Sequence, residues 1–311
     1  MKNKETIKKL RECAKGLLEV ARELQSSERM EPPGTLEIVE RQIKAKDGKA
    51  HDFCLPFVVG VDEFGDDVVL ELARLPHVLI GGATGQGKTT CLNSLIAGLV
   101  ATKTPDEVRF VVYDPKCVEY TSLAGLPHLI MPPVTSVEKM VEIFHWLESE
   151  VDKRLQMFAS VKCRNISQFN SRKQEDENGE VLPKTVPYIV VVLDDITDLM
   201  QNAGKEIESI LCRITAIARA AGVHLVMATA RPDAKIVTSA IKANVPGRIA
   251  FMTASKADSM ALINDKNATN LLGSGNFILT NGFGVLVRGQ GAVVTDEEIG
   301  RMQPIPAARM M

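Results

Sequence analysis

The stretch that most constrains this 311-residue chain is Gly82-Ala83-Thr84-Gly85-Gln86-Gly87-Lys88-Thr89, a G-x-x-x-x-G-K-T pattern. It follows the apolar run HVLI and precedes CLNSLIAGLVA, whose apolar spacing is helical. Strand, glycine-rich turn and helix, in that order, is the context in which the pattern has a mechanism. The glycines let successive backbone N–H groups turn inward around phosphates, at the positive end of the following helix. Lys88 adds a mobile charge for the outer phosphates, and the Thr89 hydroxyl is a candidate Mg2+ ligand. Residues Gly82 through Lys88, with Thr89 and Thr90, are therefore the candidate ATP-binding segment, and Mg-ATP the implied cofactor.

The same order of elements repeats downstream. Apolar strand candidates cover residues 77–80, 108–113, 188–193, 223–229 and 248–252. Helical periodicity fills residues 137–159 and 205–220 between them. Strands separated by helices predict an α/β fold with a parallel, doubly wound sheet over residues 76–311. The polar stretch NSRKQEDENGEVLPK, at 170–184, reads as a surface insertion. Upstream the pattern differs. Residues 1–30 carry Ile7, Leu10, Ala14, Leu17, Ala21 and Leu24 at spacings of three and four, an amphipathic helix. It serves either to dock on its own domain or to oligomerise. EPPG at 31–34 breaks that helix. LEIVERQI, FVVGVD and DVVLEL then read as short strands of a small β-rich subdomain over 31–75.

A second chemical element ends the strand YIVVVL with Asp194 and Asp195. A buried strand ending in an acid is how P-loop proteins hold the magnesium shell and orient the attacking water. Asp194 is the metal-side acid and Asp195 the candidate for the water. An acid pair after a strand also serves as a helix cap.

Composition sets limits on partners. The chain is 45% hydrophobic and 24% charged with a formal net charge of -2. A nucleic acid would have to be met by a local basic lining rather than by global charge. The six cysteines form no CxxC or Cys/His cluster, which argues against a zinc site and suits reduced thiols in a cytosol. The longest apolar runs fall far short of the roughly 20 residues of a membrane span. MKNKETIKKL lacks the apolar core of a secretory signal. Cytoplasmic residence is the expectation, directly or tethered through another segment.

Many further stretches carry a resemblance. LPHVLIGGATGQGKTTCLNSLI, TPDEVRFVVYDPKCVEY, GLPHLIMPPVT, the RNISQFN region, PYIVVVLDDITDLM, IARAAGVHLVMATARP, IKANVPGRIAF, SKADS, LLGSGNFIL and VRGQGAVVTDEEI occur in that order. Over roughly residues 55–300 the chain resembles the motor domain of the FtsK/SpoIIIE family of DNA translocases. The resemblance implies a RecA-like core in a hexameric ring, ATP between subunits, and double-stranded DNA threading the pore as hydrolysis drives movement. It implies that Arg219 reaches a neighbour's nucleotide, which would make the catalytic set Lys88, Asp194, Asp195 and Arg219. The bland role for Arg219 is a surface helix residue. The family's basic pore residues match Arg231, Lys242 and Lys256, the candidate DNA contacts. The family's winged-helix module has no counterpart after VRGQGAVVTDEEI.

Departures from the family pattern bear on rate and affinity. The family's Asp-Glu is Asp194-Asp195 here, its Thr-Gln-Arg-Pro is Thr229-Ala230-Arg231-Pro232, and an arginine after Lys256 is Met260. A shorter acid at 195 is expected to slow hydrolysis, since a general base acts within about 2.6–3.2 Å of its water. Losing one basic residue should reduce the salt dependence of DNA binding by about one unit of slope. Three functions fit: a DNA translocase, an ATP-binding but weakly hydrolysing regulatory or assembly protein, and a related packaging or secretion ATPase.

Overall fold

The computed structural model describes residues 31–43, 53–171, 185–281, 286–295 and 298. The helix expected over 1–30 and most of the polar insertion lie outside the described residues. The five expected parallel strands are present: β3 His77–Gly81, β4 Val108–Tyr113, β5 Tyr188–Leu193, β6 Val223–Thr229 and β7 Gly247–Phe251. Four more strands, β1 Pro56–Asp62, β2 Asp67–Glu71, β8 Asn276–Thr280 and β9 Leu286–Gly291, complete one nine-stranded sheet. Its order is β2-β1-β9-β8-β7-β3-β6-β5-β4. The pairs among β7, β3, β6, β5 and β4 are parallel, and those from β7 through β8, β9 and β1 to β2 are antiparallel. The sheet is thus mixed, and FVVGVD and DVVLEL extend it rather than forming a layer of their own.

LEIVERQI is not a strand. It forms helix α1, Thr35–Ile43. Neighbouring Ile38 and Val39 are both buried, which a strand with one covered face cannot achieve. They pack with Val58, Val61 and Ala292. The Thr35 hydroxyl fastens α1 to Ser94 Oγ of helix α2, Lys88–Thr102, at 2.9 Å, and Ser94 Oγ donates to the Val58 carbonyl at 2.8 Å.

Two cores fill the faces of the sheet. On one, helices α3 Val137–Ser160 and α6 Gly204–Ala221 bury Phe144, Leu147, Leu211 and Ile214. On the other, α2 buries Leu92, Leu95 and Leu99 beside Phe110, Phe158 and Phe169. Helix α4, Ile166–Asn170, follows α3 and supplies Ile166 and Phe169 to this second core. The helices α5 Thr197–Asn202, α7 Ser239–Asn244 and α8 Lys256–Ile263 are short and connect strand ends.

A buried cation ties the amino ends of two central strands. Arg154 of α3 is 4% exposed. Its Nε pairs with Glu150 at 2.8 Å, and its Nη1 donates to the carbonyls of Pro187 and Ala221 at 2.8 and 3.1 Å. Those carbonyls precede β5 and β6. Arg154→Met keeps the apolar stem but strands both carbonyls and Glu150. It is expected to lower unfolding free energy by about 3 kcal/mol, read from urea denaturation.

Candidate active site

β3 lies between β6 and β7, so the loop after it opens at the carboxyl end of the parallel strands, where doubly wound sheets place their ligands. The loop backbone uses the glycines at specific points. Gly85 has φ 77° and Gly87 φ 115°, the left-handed region that an L side chain resists. A Cβ on Gly87 would stand 3.1 Å from Gly275 Cα. Gly87 begins α2 with no side-chain cap and no acidic residue in the first turn. The helix's leading N–H groups are thereby left for an anion, and the residues present fit a polyphosphate. Lys88 is buried, and its Nζ donates to the Gly82 and Ala83 carbonyls at 2.8 and 2.9 Å. Burial lowers its pKa, while the charges of Asp195 and Asp194 support the ammonium.

The two expected metal-side residues meet. Thr89 Oγ1 donates to Asp194 Oδ2 at 3.3 Å, closing a gap between α2 and the end of β5. One carboxylate and one hydroxyl, completed by phosphate oxygens and water, match what Mg2+ takes from a protein. Burial pushes the Asp194 carboxyl up to about 6, and the charges of Asp114 and Asp195 add to the rise. The Lys116 charge and the Thr89 bond oppose it. A cleft of about 500 Å³ joins these groups, with Lys116, Asp195 and Ala230 on its walls. Thr84 and Thr90 also line it, whereas Gly82 and Ala83 sit behind, with the Ala83 N–H bonded to the Met252 carbonyl at 2.8 Å.

Asp195 is held differently from a free acid. It has φ 81°, and its Oδ1 accepts from the Thr197 N–H at 3.0 Å and from the Thr197 hydroxyl. With its proton so committed, Thr197 Oγ1 must accept from the Thr229 hydroxyl, 3.2 Å away. Thr229 Oγ1 in turn accepts the Arg231 N–H at 3.0 Å. A file of bonds therefore links the acid beside the cleft to the start of the Arg231 segment. Asp195 Oδ2 has no hydrogen bond among the described residues.

A profile of the FtsK/SpoIIIE family matches residues 38–234. The chain belongs to that family. The DNA translocase FtsK of Borreliella burgdorferi is 39% identical over 252 residues, which are 81% of this chain and 32% of that protein. The DNA translocase FtsK of Streptomyces coelicolor is 42% identical over 246 residues, 77% of this chain and 27% of the relative. The chain thus spans about a third of the length of these relatives. Among solved structures, the pCW3 conjugation coupling protein TcpA, in monomer form with ATPγS, matches with TM-score 0.69 at 25% identity. That match covers 82% of this chain and 72% of TcpA. The cytoplasmic domain of the Thermomonospora curvata type VII secretion ATPase EccC shares the fold at TM-score 0.69 and 23% identity, over 81% of this chain and 31% of EccC. Of these two neighbours, EccC is named an ATPase and the TcpA structure carries ATPγS.

Against the FtsK/SpoIIIE pattern the remaining candidates separate by place. Arg219 is exposed in the last turn of α6, near the amino end of β6 and so across the sheet from the P-loop. Its Nε donates to the Ala73 carbonyl at 3.3 Å, the one side-chain hydrogen bond it makes among the described residues. Arg231 follows β6 and Lys256 opens α8 after β7, both exposed and both at the cleft end of the strands. Lys242 lies in the last turn of α7, and its carbonyl accepts from buried Arg248 at the amino end of β7. Lys242 thus lies at the opposite end of the strands from Arg231 and Lys256. Met260 is 49% exposed on α8, a position with room for the family's arginine.

Several residues that line the cleft had no assignment in the sequence. Lys116 stands in the DPK stretch, whose buried Asp114 accepts the N–H groups of Lys116, Glu119 and Tyr120 at 3.1–3.2 Å. β4 pairs with β5, and the Asp194 N–H bonds the Tyr113 carbonyl at 3.0 Å, which sets the DPK turn beside Asp194. Ser274 and Gly275, of LLGSGNF, and Gln290 of β9 form the opposite wall. Gly275 N–H bonds the Gln86 carbonyl at 3.2 Å. Order of motifs marked these stretches; only the mixed sheet brings them to the P-loop. No helix among the described residues is long and apolar enough to cross a membrane.

The raised Asp194 pKa has a definite sign. A carboxyl at about 6 in the fold and 3.8 ordinarily binds its proton more tightly when folded. Its contribution to stability is full below pH 4 and lost as pH rises through 6. The interval corresponds to about 3 kcal/mol. Asp194→Asn should therefore raise unfolding free energy at pH 8 and leave it unchanged at pH 4, in denaturant titrations without nucleotide or metal.

Proposed function

We propose that this chain is the motor subunit of a ring that hydrolyses Mg-ATP to move along double-stranded DNA. The observation that carries the reading is the convergence of Lys88, Lys116 and the Thr89–Asp194 pair on one cleft, in a chain about 40% identical to proteins named DNA translocase FtsK. The P-loop backbone and Lys88 would hold the polyphosphate. Thr89 and Asp194 would hold Mg2+, which supplies charge neutralisation between the phosphates. Binding the metal displaces the Asp194 proton, so nucleotide affinity with Mg2+ falls as pH drops below about 6.

In hydrolysis, a water oxygen bonds to the γ-phosphorus and the bond to the β–γ bridging oxygen breaks. ADP leaves, and the water's proton passes to Asp195 Oδ2, the oxygen that Thr197 leaves free. Lys88 and Lys116 face the charge that develops. The file from Asp195 through Thr197 and Thr229 to the Arg231 N–H supports coupling between this acid and a candidate DNA contact. DNA contact itself rests on Arg231, Lys242 and Lys256, and their spread over both ends of the strands suits a pore that several subunits line.

A second reading, an ATP-binding protein that hydrolyses weakly, is favoured by the Asp195 Oδ1 bonds to Thr197 and by the apolar Ala230 in the cleft. The two readings part on DNA-stimulated turnover, paired with displacement of a third strand from duplex DNA. The translocase reading expects both in the parent chain. Lys88→Ala should abolish binding of a fluorescent ATP analogue. Asp195→Asn should retain binding and lose about 10²- to 10⁴-fold in turnover. Binding without DNA stimulation in the parent chain would instead establish the weak hydrolase. A triple Arg231, Lys242 and Lys256→Ala variant is expected to bind duplex DNA more weakly, with a salt slope lower by about three units, in fluorescence anisotropy across a salt series.

A further inference from the structure

Two buried tyrosines stand near the acid pair at the end of β5, and neither phenol oxygen has a hydrogen-bond partner among the described residues. Tyr113 closes β4 opposite Leu193 and belongs to the first core, while Tyr120 lies in the turn after β4 and belongs to the second. Both side chains are fully buried. A buried hydroxyl with no acceptor is costly, and such a group points to a state in which its proton is used. Burial raises the pKa of both phenols. The charges that add to the rise differ. Those on Tyr113 are led by Asp198 and Asp195, and those on Tyr120 by Asp194, ahead of Glu119 and Asp114.

The placement of Tyr120 agrees with that order. Its backbone N–H bonds Asp114 Oδ2 at 3.2 Å, and its ring shares the second core with Cys91 of α2. Cys91, Glu119 and Asp194 all line the cleft, so Tyr120 lies in the layer behind its wall. Of the acceptors there, Asp114 already takes three backbone N–H groups. Glu119 is exposed to solvent, and the Cys91 thiol, held protonated by burial, is a weak acceptor. Asp194 is 5% exposed and accepts one hydrogen bond among the described residues, from the Thr89 hydroxyl to Oδ2. An ionised carboxylate has room for about four. We propose that Tyr120 is a positioning residue for the metal-side acid, its phenol donating to the Asp194 carboxylate when Mg2+ is held there. The inference rests on the reading of Thr89 and Asp194 as the Mg2+ side of the site, and adds the group that orients the acid from behind.

Tyr120→Phe tests it, because the variant keeps the ring and removes only the hydroxyl. In urea denaturation without nucleotide or metal it is expected to match or exceed the parent, since the lost hydroxyl strands no partner. Binding of a fluorescent ATP analogue in EDTA should equal the parent's. Magnesium titrated against a fixed, subsaturating concentration of the analogue separates the two proteins. The half-saturating Mg2+ concentration should rise about tenfold, the scale of a hydrogen bond that orients a metal-binding side chain. Tyr113→Phe, which removes the other unpartnered phenol, should titrate as the parent does. A Tyr120→Phe titration that superimposes on the parent's overturns the proposal and leaves the metal site standing. An equal shift in Tyr113→Phe, or weaker binding by Tyr120→Phe in EDTA, also overturns it, because either makes the effect one of packing. A marked loss of stability in metal-free Tyr120→Phe gives the hydroxyl a structural partner and refutes it as well. Parent binding that ignores magnesium defeats the reading of Thr89 and Asp194 together with the inference drawn from it.

Discussion

The active end of this protein depends on a buried carboxyl that the fold holds under protest. Asp194 closes β5 at a point where the P-loop helix brings the Thr89 hydroxyl to 3.3 Å, and its neighbours include two more acids, Asp114 and Asp195. Burial and like charge together favour the protonated form. Lys116 and Thr89 counter them only in part, and the carboxyl settles near 6. Such a site is poised for a divalent cation, whose charge repays the desolvation that the protein's own groups leave outstanding. Lys88 is bent back onto the Gly82 and Ala83 carbonyls in the same economy, a buried ammonium satisfied by the loop it serves.

That arrangement is supported by strands far away in sequence. β8 runs antiparallel to β7, β9 antiparallel to β8, and together they press Gly275 against Gly87 and the Gln86 carbonyl. β9 then approaches β1 so closely that a Cβ on Gly289 would stand 2.0 Å from the Val61 carbonyl oxygen. The glycines of LLGSGNF and VRGQG are backbone clearances that let a second sheet segment buttress the phosphate loop. Helix α1 completes the support by bonding α2 through Thr35 and Ser94.

What the sequence revealed follows from this division. The five parallel strands are continuous apolar runs buried on both faces, and periodicity found each within a residue at its ends. β9 escaped because Gly289 and Gly291 interrupt the pattern that would mark it, and β8 because its run is only five residues long and follows directly on the glycine-rich turn of Gly273 and Gly275. LEIVERQI reads as a strand from its β-branched residues, but Ile38 and Val39 point into one core from adjacent positions, which only a helix allows. Lys88, Thr89 and Asp194 were legible because their spacing carries a mechanism. Lys116 was not, since its place beside Asp194 comes from the pairing of β4 with β5, and nothing local to DPK announces it.

Asp195 shows how far a single substitution can be read. From sequence it is a shortened arm, an acid drawn back from its water. In the structure its backbone sits at φ 81°, a conformation that aspartate tolerates because its short side chain can bond the local backbone. The bond it makes, Oδ1 to the Thr197 N–H two residues on, belongs to the turns that Asp and Asn form, and a glutamate's longer arm does not close the same ring. The Thr197 hydroxyl adds a second contact and carries it to Thr229. Aspartate at this position is therefore part of a turn whose partners, Thr197 and Thr229, are buried and mutually bonded. Reach toward the water is exchanged for a fixed carboxylate with one oxygen spent and one free. Because the fixing bonds continue to the Arg231 N–H, any displacement of that segment acts on the orientation of the acid rather than on its distance alone.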